Sequence, residues 1–285
     1  MSAHPFYPHV LVECNQVMEW VESGAKVVQV DIDPLAYHHG HVPTAIPWHW
    51  ETQLRNADTG EILNQSEFEA LMSQSGLSSD DKIIVYGDNN NWFACWAFWL
   101  LKLFGHKEVY VLDGGLRKWM ESGCTIALDE PYLSPTNYHA KEPDNSNKAS
   151  TEDIFTSFFS PQTHRLVDVR SAAEFKGTIN SPGIGTESKC AVGGHIPTAV
   201  NIPWNLNCNP DGTFKTKDDL LAMYQSFDIL PENTVITYCA IGERASLSWF
   251  VLKHLLGYDV VMNFDRSMAF WSRLANAPIE VGDAA

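Results

Sequence analysis

Basic residues are scarce in this chain: 19 Lys and Arg stand against 35 Asp and Glu, a formal net charge of −16 at pH 7. A body this acidic repels phosphate backbones and anionic headgroups, which excludes nucleic acid and a membrane surface as general partners. Long apolar runs are also missing. The stretch Trp96 to Phe104 is interrupted by Lys102 and is far shorter than the roughly 20 residues a spanning helix needs. The six cysteines, at positions 14, 95, 124, 190, 208 and 239, form no CxxC pair and no dense framework. They read as free thiols in a reducing compartment. No His/Cys cluster has metal-ligand spacing, so neither a metal nor another cofactor is expected. Met1 to Pro8 lacks the basic-then-apolar pattern of an export signal, and a cytoplasmic location is expected. With 45% hydrophobic and 19% charged residues, the 285-residue chain suits one large globular domain or two ordinary ones.

Internal repetition decides between these. Val27-Val28-Gln29-Val30-Asp31 resembles Arg165-Leu166-Val167-Asp168, each an apolar run ending in Asp. His41-Val42-Pro43-Thr44-Ala45-Ile46 returns as His195-Ile196-Pro197-Thr198-Ala199-Val200, and Lys82 to Tyr86 returns as Thr234 to Tyr238. From that strand onward the register holds without a gap, pairing Phe98 with Phe250, Gly105 with Gly257, Asp113 with Asp265 and Trp119 with Trp271. Two homologous domains are expected, over 8–130 and 151–281.

Within each repeat, short β-branched runs (82–86, 108–112, 234–238, 259–263) alternate with helical patterns (66–74, 93–104, 217–226, 246–256). That alternation predicts an α/β fold: two tandem domains, each a parallel sheet flanked by helices on both faces. The Pro-, Asn- and Ser-rich stretch 131–150 reads as the linker. The insertion Gly177 to Gly194, absent from the first repeat, reads as a lid or a surface loop.

The repeats diverge where chemistry would sit. After the central strand the first continues Gly87-Asp88-Asn89-Asn90-Asn91-Trp92, and the second Cys239-Ala240-Ile241-Gly242-Glu243-Arg244, followed by a helix. Ligands of parallel α/β sheets bind at the carboxyl ends of strands, and tight-loop N–H groups beside a helix N-terminus cradle anions. A cysteine opening such a loop gains thiolate character from those donors and from Arg244, and Gly242 lets the backbone curl back on the sulfur. A lone cysteine after a strand is usually a small buried hydrophobe. The strand–Cys–loop–Arg–helix setting reverses that reading for Cys239 and leaves the other five cysteines structural. Arg170 reads either as a second cation facing the cleft or as an ion pair behind Asp168. Glu243 reads as a carboxylate near the site, or one turned outward or to a structural partner. His41 and His195 occur in both repeats, including the one without a nucleophile, which favours a structural role in the His-x-Pro turn.

These motifs resemble the tandem-domain rhodanese family over residues 8 to 281. The residues that carry the resemblance are the twin His-x-Pro-x-Ala segments, Asp168-Val169-Arg170-Ser171 with Glu174-Phe175, Asp113-Gly114-Gly115-Leu116 and the Cys239 loop. The resemblance implies an inactive first domain, with Gly87 in place of the cysteine, and a catalytic second one. It also implies double displacement through a Cys239 persulfide, with sulfane sulfur passing from thiosulfate to cyanide or a thiol. Catalytic roles then fall to Cys239 and Arg244, and substrate contacts to Ala240, Ile241, Gly242, Glu243 and Arg170. The partners implied are a small sulfur donor, a thiophilic acceptor and, as an alternative acceptor, a protein that receives sulfur.

The loop is similar to the Cys-Arg-Ile-Gly-Glu-Arg pattern of thiosulfate sulfurtransferases, but Ala240 stands where that pattern has arginine. In the 3-mercaptopyruvate branch, Ile241 would be a serine. Asp265-Arg266-Ser267-Met268 also departs from the family's Asp-Gly-Ser-Trp. Two other readings compete. Cysteine phosphatases share the plan with a loop one residue longer, and a persulfide carrier would turn over small donors poorly.

Overall fold

The computed structural model describes residues 9–56, 60–180 and 190–283. Most of the insertion between Gly177 and Gly194, and with it the suggested lid, lies outside the described residues. The chain forms two compact units. One holds the described residues up to Asp144 together with Cys208–Phe214, and the other holds Asn145–Asn207 together with the chain from Lys215.

The first unit is built on strands β1 (Leu11–Val12), β2 (Lys26–Gln29), β3 (Ile46–Pro47), β4 (Ile83–Tyr86) and β5 (Val109–Leu112). They are all parallel, in the order β1-β5-β4-β2-β3. Its helices are α1 (Cys14–Glu22), α2 (Trp50–Gln53), α3 (Gln65–Gln74), α4 (Trp92–Leu103) and α5 (Gly115–Glu121). The second unit repeats the plan with β6 (His164–Asp168), β7 (Val200–Asn201), β8 (Thr234–Tyr238) and β9 (Val260–Asn263), parallel in the order β7-β6-β8-β9. Its helices are α6 (Thr151–Phe159), α7 (Ala172–Phe175), α8 (Lys217–Ser226), α9 (Glu243–Phe250) and α10 (Ser267–Trp271), and a π-helical turn, Val251–Leu255, prolongs α9.

The central strands are buried along their length, as strands covered on both faces must be. Helix α4 carries an apolar run too long for a single stripe, and all of Phe93 to Leu101 is buried. Helix starts follow local chemistry: Asn64 with Glu67, Ser150 with Asp153 and Ser171 with Glu174 form reciprocal capping boxes.

The 131–150 stretch has the irregular backbone its composition implies, yet it is tied down. Thr136 N–H donates to Ser73 O at 2.9 Å, Ala140 N–H to Glu69 at 2.8 Å, and Lys141 N–H to Phe104 O at 3.1 Å. Ala149 N–H donates to Asn263 O at 3.0 Å, so the passage from one unit to the other falls inside the stretch, after Asp144.

Strand pairing also corrects the repeat alignment at β2. Gln29 lies level with Tyr86 on β4, and Asp168 lies level with Tyr238 on β8. The structural equivalent of Asp168 is therefore Gln29, and that of Arg170 is Asp31. The sequence invites matching Asp with Asp. The fold preserves instead an acceptor for the buried tyrosine hydroxyl: Tyr86 donates to Gln29 and Tyr238 to Asp168.

Candidate active site

Cys239 is the first residue past β8 and is fully buried. Its loop is held from outside by the first turn of α10. Met268 N–H donates to Cys239 O at 3.1 Å and Ala269 N–H to Ala240 O at 2.8 Å. Ser267 Oγ accepts the Cys239 N–H at 3.0 Å and itself donates to Phe264 O at 2.7 Å. In a planar peptide the N–H points opposite to the C=O. Tying two loop carbonyls to α10 therefore turns the following N–H groups away from that helix.

The Gly242 N–H donates to Cys239 Sγ at 3.1 Å. Gly242 has φ of +100°, and a Cβ there would collide with the Asp265 carbonyl oxygen, so no other residue fits. Asn263 Nδ2 steadies the same turn through Gly242 O at 3.3 Å. Helix α9 starts at the next residue, which places its N-terminal N–H groups and dipole at the sulfur.

Arg244, in the first turn of α9, makes a bidentate pair with Glu174, Nη1 to Oε2 at 3.0 Å and Nη2 to Oε1 at 2.9 Å. Burial opposes charge on Arg244, but Glu174 and the nearby Cys239 sulfur outweigh it and hold the guanidinium above its ordinary value. Glu174 is also the third helical residue of the Ser171 capping box, so one carboxylate both starts α7 and clamps the loop. Sequence reasoning gave Glu174 no role in the site. Its Ser-x-x-Glu spacing is a sufficient explanation by itself, which hides the second function.

Of the two readings for Arg170, the structure shows the ion pair. The side chain is buried, with Nη2 donating to Asp168 at 2.6 Å and to Gly194 O at 2.7 Å. Ala240 is buried in the apolar cluster around Phe264 and Trp271, with Ile241 packed against the same cluster. Glu243 is buried as well, which removes the outward-facing reading. The departures after β9 are accommodated without opening the site. Arg266 stacks over the Phe270 ring, Met268 fills the core, and Asp265 pairs with Lys148 at 3.6 Å. His41 and His195 do structural work: each stacks on a neighbouring ring, Tyr37 or Phe175, and bonds that residue's carbonyl through Nδ1.

The equivalent place in the first unit is closed. A Cβ at Gly87 would collide with the Val30 carbonyl oxygen. Asn91 Oδ1 takes the Gly87 N–H at 3.0 Å while its Nδ2 donates to Leu112 O at 2.7 Å. Residues 89–91 are all left-handed, a turn that asparagine tolerates better than most residues.

Comparison with known proteins agrees with this geometry. A rhodanese-like domain model matches the chain twice, over residues 13–122 and 156–274. A protein of Mycolicibacterium smegmatis named "Putative thiosulfate sulfurtransferase" is 40% identical over 93% of this chain and 96% of its own length. The sulfur carrier protein TtuD of Thermus thermophilus is 38% identical over 97% of this chain and 98% of its own length. Among solved structures, an anaerobic ergothioneine biosynthesis enzyme from Chlorobium limicola superposes with a TM-score of 0.85. It is 20% identical and is matched over 99% of this chain and 72% of that one, a likeness of fold. The chain belongs to the rhodanese family, with two copies of the rhodanese-like domain.

Proposed function

We propose that the protein is a thiosulfate sulfurtransferase working through a Cys239 persulfide. The observation that carries this reading is the Gly242 N–H aimed at Cys239 Sγ at 3.1 Å, at the start of α9. A donor N–H and a helix N-terminus favour the sulfur as an anion, both as the attacking thiolate and as the persulfide that replaces it. The thiolate attacks the outer sulfur of thiosulfate and the S–S bond of the donor breaks. Sulfite leaves with the electron pair, and the new terminal sulfur carries the negative charge. Cyanide or a thiolate then takes that sulfur and returns Cys239 as thiolate. The four residues between Cys239 and Arg244 suit one sulfur atom better than a tetrahedral phosphate.

A second reading, persulfide delivery to a protein acceptor with little turnover of small donors, has its own support. Ala240 adds no charge beside the sulfur, and the guanidinium groups of Arg244 and Arg170 are paired with Glu174 and Asp168. A dianionic donor gains little from cations already committed to carboxylates. The relative named as a sulfur carrier fits this arrangement.

Intact-mass analysis after incubation with thiosulfate or 3-mercaptopyruvate tests both readings. One added sulfur that is lost in Cys239→Ser supports persulfide chemistry, and no adduct from either donor refutes it. A cyanide-coupled thiocyanate assay then separates the enzyme from the carrier and ranks the donors.

A further inference from the structure

The first unit contains a cavity of about 290 Å³ at the carboxyl ends of β2 and β3, beside the Gly87 loop, whose Asp88 N–H reaches Asp31. Gln29, Asp31, Tyr37 and Trp48 are among its lining residues, and the largely exposed His38 and Glu130, 3.9 Å apart, stand at its rim. Such a position, beyond the ends of parallel strands, is where ligands of α/β sheets bind.

The repeat shows what is unusual here. In the second unit the equivalent positions carry Asp168 and Arg170, a buried carboxylate neutralised by a buried guanidinium. In the first unit they carry Gln29 and Asp31. A long cation has become a short anion, and the carboxylate that faced it has become a neutral amide. Asp31 is 2% exposed, and its hydrogen bonds come from Gln29 Nε2 and from the Asp88 N–H at 2.9 Å, both neutral donors. A buried carboxylate with no cation is costly. Burial, the largest influence, pushes Asp31 up to about 6, and Asp88 and Asp33 add to it. Tyr37 gives its hydroxyl to Ala45 O and Trp48 its indole N–H to Ser75 Oγ, so apolar ring surface is what they offer the cavity.

We propose that this cavity binds a compact organic cation with N–H donors, an amidinium, guanidinium or alkylammonium group, seated on Asp31 with its body against Tyr37 and Trp48. The ligand supplies the positive charge that Arg170 supplies within the other repeat. Aromatic faces add a cation–π contribution, and Glu130 at the rim reinforces selection for positive charge.

Benzamidine, with neutral benzamide as its isostere, probes the site by calorimetry on the full chain. Benzamidine is expected to bind and benzamide to bind at least tenfold more weakly. Since the cation needs ionised Asp31, affinity should rise about tenfold between pH 5 and pH 7, the gain in ionised fraction for a group titrating near 6. The other groups facing Asp31 and the cavity are Asp33, Asp88, Tyr86, His38, His49 and Glu130. Asp31→Asn should remove the dependence attributed to Asp31 and most of the affinity. The double variant Gln29→Asp/Asp31→Arg installs the second repeat's ion pair, so it should fold, fill the cavity and abolish binding. Loading of Cys239 by thiosulfate should be unchanged in both variants, which separates this inference from the sulfur chemistry. Equal binding of benzamidine and benzamide, or undiminished binding in the double variant, overturns the proposal, as does no benzamidine binding at millimolar concentration.

Discussion

Glu174→Gln is the sharpest test of how the sulfur loop is held. The substitution keeps the shape of the side chain and one acceptor oxygen, but it puts an amide N–H₂ against the Arg244 guanidinium and leaves that charge unpaired. Breaking a buried ion pair by altering one partner costs about 3–5 kcal/mol. Arg244 is 15% exposed and Glu174 2%, so some solvent screening remains, and the lower end, about 3 kcal/mol, is the figure to expect. That corresponds to an opening equilibrium shifted by roughly 150-fold. Cys239 is fully buried and reports the opening directly through its native-state alkylation rate by iodoacetamide, followed peptide by peptide. Cys95, equally buried in the first unit, is the internal control. The expected result is a Cys239 rate raised on the order of a hundredfold with Cys95 unchanged. A Cys239 rate within about twofold of the parent protein refutes the clamp.

Gly242→Ala should lower stability by about 2 kcal/mol or more, because it combines a left-handed backbone with a collision at Asp265 O. The same variant should take up no sulfur from thiosulfate, as read by a urea titration and intact mass together. His106 is held below its ordinary value by burial, with Nδ1 on the Tyr138 hydroxyl and Nε2 on Asp81 O. The unfolded chain therefore binds the proton first, and stability contributed by neutral His106 is present above about 6.5 and lost as pH falls below it. Urea midpoints of the parent protein should fall from pH 7.5 to 5.5, and His106→Asn should flatten that slope; parallel slopes in the two proteins contradict the assignment.

Much of this was legible in the sequence. Strand 234–238 and helix 217–226 end where the pattern ends, because β-branched runs and capped amphipathic stretches are local signals. Cys239 was legible because its loop differs from that of its own repeat. The pairing of Gln29 with Asp168 was not, since similarity of residue type pointed two positions away and the preserved quantity is a hydrogen-bond acceptor for a buried tyrosine. Glu174 reaches Arg244 across 70 positions, and nothing in spacing or periodicity encodes a contact of that range. Whether Arg170 faces the cleft or pairs with Asp168 likewise turns on where its side chain lies in the folded chain, which no local pattern fixes.

The two loops show why a rhodanese-like domain without its cysteine is more than a point substitution. Both hang from the same anchor: Leu116 N–H donates to Gly87 O, and Met268 N–H to Cys239 O, each at 3.1 Å and at the same repeat position. They differ in what takes the leading N–H. In the second unit Ser267 takes it from outside the loop, and Gly242 N–H is left for the sulfur. In the first unit Asn91 takes it from inside, Gly115 stands where Ser267 would, and Trp92 stands where Arg244 would. The stacked pairs Tyr37–His41 and Phe175–His195 make Ala36 the repeat counterpart of Glu174, so the carboxylate clamp is absent too. Gly87→Cys alone should therefore add no second sulfur, because the cradle, the clamp and the space beside Val30 O are all missing. Replacing residues 87–92 with the sequence of 239–244, together with Gly115→Ser and Ala36→Glu, supplies the cradle and the clamp, and the exchanged loop is expected to carry the position 87 Cβ clear of Val30 O. In a Cys239→Ser background, the grafted protein should gain one sulfur from any donor that loads the parent, and the Gly87→Cys protein none. Sulfur uptake by Gly87→Cys alone would show that the loop needs only its nucleophile, and that the surrounding hydrogen bonds do not create the site.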